Sequence, residues 1–159
     1  MSAPAVGAPA TDFTTPTADG GSFRLADHRG HPVVLYFYAE DNSEGCTIQN
    51  QEFSALLPQF TRLKAAVLGI SPDPADKHRK FIAKHQLGVT LAADIDHAAI
   101  KAFDVWQRKK LYGREYDGIV RTSFIIAPDG TVASILRATR IKGHAEKVLA
   151  ELTALATRW

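Results

Sequence analysis

Val33-Val34-Leu35-Tyr36-Phe37-Tyr38 is an unbroken apolar and aromatic run. A strand with one face in water alternates apolar and polar residues, whereas a strand that is apolar throughout is covered on both faces. The run therefore predicts a strand at the centre of a sheet with chain packed on each side. Ala65 to Ile70 predicts a second buried strand, and Thr90 to Ala93 a short third one. The segments between them have helical period. From Glu44 to Arg62, residues Ile48, Phe53, Leu56, Leu57 and Phe60 mark one face, and Asn42 or Ser43 is a suitable cap. Pro58 is expected to kink or end that helix. Ala75 to Gln86 carries Pro74 near its first turn and Gly88 just past its end, a helical start and stop. His97 to Phe103 reads as a short helix.

Ahead of this core, Thr14 to Leu25 holds Asp19-Gly20-Gly21 between β-prone residues, which predicts a hairpin. Ala26 to Pro32 reads as a polar connection. Beyond the core, Arg108 to Asp117 is polar and contains glycine, and reads as a loop. Ile119 to Ile126 and Thr131 to Leu136 read as strands joined through Ala127-Pro128-Asp129-Gly130. A last helix starts near Gly143, with Ala145, Val148, Leu149, Leu152 and Ala156 in phase. This order predicts an α/β fold with a mixed central sheet flanked by helices and an N-terminal β-hairpin. The Ala/Pro/Gly-rich residues 1–10 are expected to form a flexible arm, and residues 11–159 a single domain.

Composition narrows the function classes. Net charge is +2, with acids and bases interleaved, so nothing points to nucleic acid or an anionic membrane. No apolar run approaches a membrane span, and the first residues lack a secretory pattern, so a cytoplasmic protein is expected. The chain has one cysteine, so no internal disulfide framework exists.

That cysteine, Cys46, lies in Asp41-Asn42-Ser43-Glu44-Gly45-Cys46-Thr47, straight after the central apolar run and at the predicted start of a helix. Free N–H groups and the positive end of the helix dipole there favour a thiolate. The end of such a strand is also where open α/β sheets place ligands. A small buried hydrophobe is the plainer reading of a free cysteine.

Four stretches extend the argument. They are Val34 to Tyr38 leading to Asp41–Thr47; Gly69-Ile70-Ser71-Pro72-Asp73; Val105-Trp106 with Lys109-Lys110-Leu111-Tyr112-Gly113; and Gly118 to Ile126 followed by Pro128-Asp129-Gly130. In these motifs, their order and their spacing, the chain resembles the peroxiredoxins, specifically the bacterioferritin-comigratory-protein or PrxQ subfamily. The resemblance runs from Ala8 to the end. It implies a thioredoxin-like fold and a thiol-dependent peroxidase. It matches Cys46 to the peroxidatic cysteine, which attacks peroxide and becomes sulfenic acid. Ser43 stands where the motif has threonine and keeps the hydroxyl, which also suits a helix cap. Arg121 matches the active-site arginine that stabilises thiolate and leaving oxygen. On its own, Arg121 would read as a surface residue of an edge strand.

Two positions depart from the pattern. Ala39 replaces the motif proline. Gln51 stands where many relatives carry a resolving cysteine, and the predicted helix Ala75–Gln86 also lacks one. The resemblance thus implies a one-cysteine enzyme that depends on an external thiol: glutathione, a glutaredoxin or a thioredoxin. It also implies a monomer. The chemistry requires no metal or organic cofactor. The six histidines are dispersed; only His78 and His85 lie at a helical spacing, and they are not read as a metal site. Arg108-Lys109-Lys110 reads as a solvated loop, and Phe103 and Trp106 as core or site-wall residues. The rivals to a peroxidase are a redox sensor or binding module that reacts once, and a monothiol reductase, which the lack of a Cys-x-x-Cys pair disfavours.

Overall fold

The computed structural model describes residues 4–159, apart from the side chain of Leu111. The expected central strand is β3 (Val33–Phe37), and every one of its residues is buried. It pairs in parallel with β4 (Ala66–Ser71), which pairs in parallel with β5 (Thr90–Ala93). On its other side β3 pairs antiparallel with β8 (Thr122–Ile126), and β8 with β9 (Val132–Arg137). The five-stranded mixed sheet has the order β5-β4-β3-β8-β9. A hairpin of β1 (Thr14–Pro16) and β2 (Ser22–Arg24) precedes it.

Alternate residues of β3 feed two cores. Val33, Leu35 and Phe37 pack with Phe13, Phe103 and Phe124, under the first hairpin and α3 (Ala98–Ala102). Val34 and Tyr36 pack on the other face with Cys46, Phe53, Phe60, Phe81 and Val148. Those residues come from α1 (Glu44–Arg62), α2 (Ala75–His85) and α4 (His144–Ala156). The layering is that of the thioredoxin-like fold.

Two expectations need correction, and a third is narrowed. Helix α1 runs to Arg62, the span expected, so Pro58 does not end it. A mid-helix proline costs about 3 kcal/mol. Phe53 and Phe60 lie on either side of it, both fully buried. Two such side chains stabilise by about 3–6 kcal/mol together, enough to hold both halves of the helix on the sheet. The polar stretch 108–117 is not a loop. It forms most of an antiparallel hairpin, β6 (Trp106–Leu111) with β7 (Arg114–Ile119). Its two-residue turn, Tyr112-Gly113, has φ of 52° and 77°, the left-handed pair that matches strand twist. Finally, Ile119–Ile126 is not one strand. The chain breaks at Val120-Arg121, so that β7 and β8 belong to different sheets.

Of the arm expected over residues 1–10, residues 1–3 lie outside the described residues. The Gly7 and Ala10 N–H groups donate to the carbonyls of Val132 and Gly130, and the Val132 N–H donates to Ala8 (2.8, 2.9 and 2.9 Å). Among the described residues no helix is long and apolar enough to cross a membrane.

Candidate active site

Helix α1 begins where β3 ends, after a turn in which Asn42 adopts φ 69°. Asparagine tolerates this left-handed conformation better than most residues. Ser43 is the N-cap: its Oγ accepts from the Cys46 N–H (3.3 Å), and its own hydroxyl donates to the Glu40 carbonyl (3.4 Å). Cys46 is therefore the third residue of the helix, with no exposed surface. The Arg121 guanidinium closes over it, with Nη2 donating to Cys46 Sγ at 3.0 Å. A fixed positive charge at that distance can stabilise negative charge that develops on a neighbouring oxygen during reaction.

The approach of Arg121 depends on two local features. The break after Ile119 frees residues 120 and 121 from strand pairing on both sides, while the Val120 N–H holds the Val105 carbonyl (2.7 Å) and the Arg121 carbonyl holds the Ala138 N–H (2.9 Å). Gly45 supplies the room. A Cβ there would lie 2.7 Å from Arg121 Nη1 and 2.6 Å from Ile141 Cδ1.

Two supports were not evident in the sequence. Asn50, one helical turn beyond Cys46, donates from Nδ2 to the Cys46 carbonyl (2.9 Å) and accepts from the Tyr36 hydroxyl at Oδ1 (2.6 Å). Both are fully buried. Burial first, and the charge of Asp41 second, push the Tyr36 phenol well above its ordinary range, so it remains a donor. This chain of hydrogen bonds ties the cysteine's own carbonyl to the central strand. The local signal for half of it was present, since an asparagine four residues after the cysteine can reach back to its carbonyl; the Tyr36 contact was not readable.

The second support is a buried cluster under the loop that leads to Ser43. Asp41 Oδ2 lies 2.7 Å from His78 Nδ1, and Asp41 Oδ1 accepts from Tyr38 (2.7 Å). His78 Nε2 faces the Ala92 carbonyl at 2.9 Å, which assigns it a proton. Asp73 accepts from the Asp41 N–H (2.7 Å), Ser71 (3.0 Å) and Lys77 (2.9 Å). Asp41, Asp73 and His78 have ligand-type atoms within 4.8 Å of one another, but each is already engaged by protein groups. The cluster holds the loop to β5 and α2. His85 does not join it; its ring packs edge-on against Phe81 at 5.2 Å.

Of the residues singled out in the sequence, Cys46 and Arg121 meet directly, and Ser43 meets the cysteine through its backbone. The Ser43 hydroxyl is engaged by the Glu40 carbonyl and the Cys46 N–H. Ala39 and Arg121 line a cavity of about 540 Å³ that opens at this end of the sheet, whereas Gln51 faces a separate cleft beside Gln86 and Gly88. An arginine held on a helix-start cysteine fits nucleophilic attack by sulfur on an electrophile whose leaving group departs as an anion.

Residues 6–135 match the AhpC/TSA family. The chain is 42% identical over 147 residues to a putative peroxiredoxin bcp of Helicobacter pylori, covering 92% of this chain and 97% of the relative. It is 40% identical over 150 residues to peroxiredoxin Bcp of Xanthomonas campestris, covering 93% and 94%. Among solved structures, the Xanthomonas campestris bacterioferritin comigratory protein, studied for its alkyl peroxide reduction activity, superposes with a TM-score of 0.86 at 38% identity over 91% of this chain and 92% of that one. A cysteine-to-serine form of PrxQ from Xylella fastidiosa superposes with a TM-score of 0.91 at 34% identity over 98% and 99%.

Proposed function

We propose, from the premise that this chain belongs to the AhpC/TSA family as a peroxiredoxin of the Bcp/PrxQ kind, that Cys46 is its peroxidatic residue and Arg121 the residue that activates it. The protein is a thiol-dependent peroxidase. The observation that carries the assignment of residues is the 3.0 Å contact of Arg121 Nη2 with Cys46 Sγ. The Cys46 thiolate attacks one oxygen of ROOH. The O–O bond breaks, the alkoxide or hydroxide leaves and takes a proton, and sulfur retains the attacked oxygen as sulfenic acid. Arg121 faces both the sulfur that gives up charge and the oxygen that acquires it. Ser43 supplies a further donor once its hydroxyl turns from the Glu40 carbonyl toward the incoming oxygen.

Hydrogen peroxide and alkyl hydroperoxides are the substrates we assign, the latter by extension from the Xanthomonas relative. The sulfenic acid has no second cysteine in its own chain, so an external thiol must reduce it. Glutathione, a glutaredoxin or a thioredoxin each supply one. A thiol that must be regenerated at every turnover fits a reducing compartment, and we place the protein in the cytoplasm. We also infer a monomer, as the subfamily resemblance implies, and residues 11–159 as its single domain. The deciding experiment is peroxide consumption by Cys46→Ser with thiol present. Turnover should vanish while circular dichroism stays unchanged; substantial residual consumption sinks the assignment.

A further inference from the structure

Resting on that reading, we propose that the cavity beside Arg121 docks the reducing thiol, and that this thiol is a small molecule bearing carboxylate groups. The resolving sulfur must come from outside the chain, because Cys46 is its one cysteine. It must also reach a sulfur with no exposed surface, on a helical turn that Asn50 and Tyr36 tie to the central strand. A cysteine displayed on a folded protein partner meets that sulfur only if the turn comes out. A small thiol can instead enter the cavity of about 540 Å³ that Arg121 walls, a volume typical of small-molecule sites, and reaches the sulfur once the Arg121 side chain that covers it shifts.

The lining gives the charge of the ligand. Lys109, Arg121 and Arg137 all line the cavity, and no Asp or Glu does. Strand alternation explains why Lys109 stands apart from its neighbours. Arg108 and Lys110 pair across the hairpin with Asp117 (3.5 Å) and Glu115 (3.7 Å). Lys109 points to the opposite face, where its Nζ donates to the Ile119 carbonyl (2.8 Å) and stands 6.0 Å from the centre of the Tyr116 ring. Among the described residues neither Lys109 nor Arg137 has a carboxylate partner. Tyr116, Ile141 and Ala39 add apolar wall between these cations. Two cations without a carboxylate partner, in a cavity whose third cation, Arg121, touches the Cys46 sulfur, suit a carboxylate-bearing thiol of glutathione's charge type.

The chemistry balances without another reactant. The thiolate sulfur attacks Cys46 Sγ–OH, an S–S bond forms, the S–O bond breaks, and hydroxide leaves as water after taking a proton. A second thiolate attacks the mixed disulfide at the outer sulfur, releasing the small disulfide and restoring the Cys46 thiolate.

The test uses the whole protein, oxidised by one equivalent of hydrogen peroxide and mixed with 3-mercaptopropionate, 2-mercaptoethanol or cysteamine. Rates of mixed-disulfide formation are compared per thiolate, with glutathione as a fourth probe. The anionic thiol should lead the neutral one by about tenfold, with the cationic one slowest, a modest instance of electrostatic steering. That lead should collapse in Lys109→Ala/Arg137→Ala and at high salt. Equal rates for the three thiols, a lead that survives the double substitution, or reduction by a dithiol protein but by no small thiol overturns the proposal. The same cations suit a carboxylate-bearing hydroperoxide. Carboxylate preference confined to the oxidation step, measured with acid-bearing against neutral hydroperoxides, therefore also overturns it. Sulfenic acid formation is followed by mass spectrometry in a separate mixing, so a chain that never forms it refutes the peroxidase reading instead.

Discussion

Arg121 and Cys46 stand 75 positions apart in the chain, yet the guanidinium Nη2 lies 3.0 Å from the thiol sulfur. The contact joins a helix start to a strand break, and the chemistry proposed for the protein depends on both. Removing the guanidinium should slow oxidation by peroxide on the order of 10²-fold, as loss of a comparable electrostatic stabiliser does. Arg121→Lys should recover only part of this, because an ammonium lacks the planar fork. Stopped-flow measurement of the second-order rate checks both variants. A rate for Arg121→Ala equal to wild type would make Arg121 a surface residue.

Gly45→Ala should separate activity from stability. The added Cβ meets the Arg121 and Ile141 side-chain ends at 2.7 and 2.6 Å, and those ends must shift. Misplacing the guanidinium should lower the peroxide rate on the order of tenfold or more. Alanine is the better helix former by about 1 kcal/mol, so the denaturation midpoint should hold or rise. A variant with unchanged rate would show that the position of Arg121 is not critical.

Asn50→Ala should loosen the helical turn that holds Cys46. It strands the fully buried Tyr36 hydroxyl, which should cost about 1–3 kcal/mol in urea unfolding. Amide exchange over residues 44–50 should quicken more than exchange in α4. Adding Gln51→Cys provides a second readout, because an internal disulfide with Cys46 needs the helix start to unwind. After peroxide, that disulfide should form faster in the Asn50→Ala/Gln51→Cys double variant than in Gln51→Cys alone. Equal rates would remove Asn50 from the turn's restraint.

His144 sets an acid-side loss of stability. It is buried, with Nε2 2.8 Å from Ser123 Oγ. Burial first, and Lys147 second, push its imidazole below the ordinary range. In the unfolded chain the ring protonates near pH 6.5. The unfolded state thus binds more protons as pH falls through that value, and the stability conferred by the neutral ring, present above it, is lost toward the lower folded-state pKa. Urea unfolding at about pH 7.5 and about pH 5.5 should show a larger loss for wild type than for His144→Gln, with the other histidines common to both. Identical losses would mean that His144 does not govern the transition.

A single turnover without regeneration would favour a sensor. Peroxide consumption should instead continue for many turnovers while an external thiol lasts, and stop without it. Irreversible oxidation to sulfinic acid despite abundant thiol is the opposite outcome.

The elements with a strong local signal were legible before any contact was known. Six apolar residues in succession required β3 to be covered on both faces. The cap and apolar stripe gave α1 its two ends, with Cys46 at its start. The family motifs then pointed to Ser43, Cys46 and Arg121. The β6–β7 hairpin escaped because both its faces are largely polar, so period-2 hydrophobicity, the usual mark of a strand, is absent; only Tyr112-Gly113 signalled its turn. That Pro58 does not end α1 follows from the two buried phenylalanines on either side of it, which hold the helix on the sheet.

Sequence by itself determined which side chains carry reactive chemistry and which local element holds each, because both follow from residue type and near-neighbour spacing. Tertiary structure decided which of them meet. The break at residues 120–121 turns Arg121 onto the sulfur, Gly45 makes room for it, and Tyr36 reaches Asn50 across the space between sheet and helix. His78 finds Asp41 rather than His85 as its partner because the loop before Ser43 comes to it, whereas two helical turns separate the two histidines. Such contacts depend on strand order and helix packing, which are properties of the whole chain and leave no mark in any local window of residues.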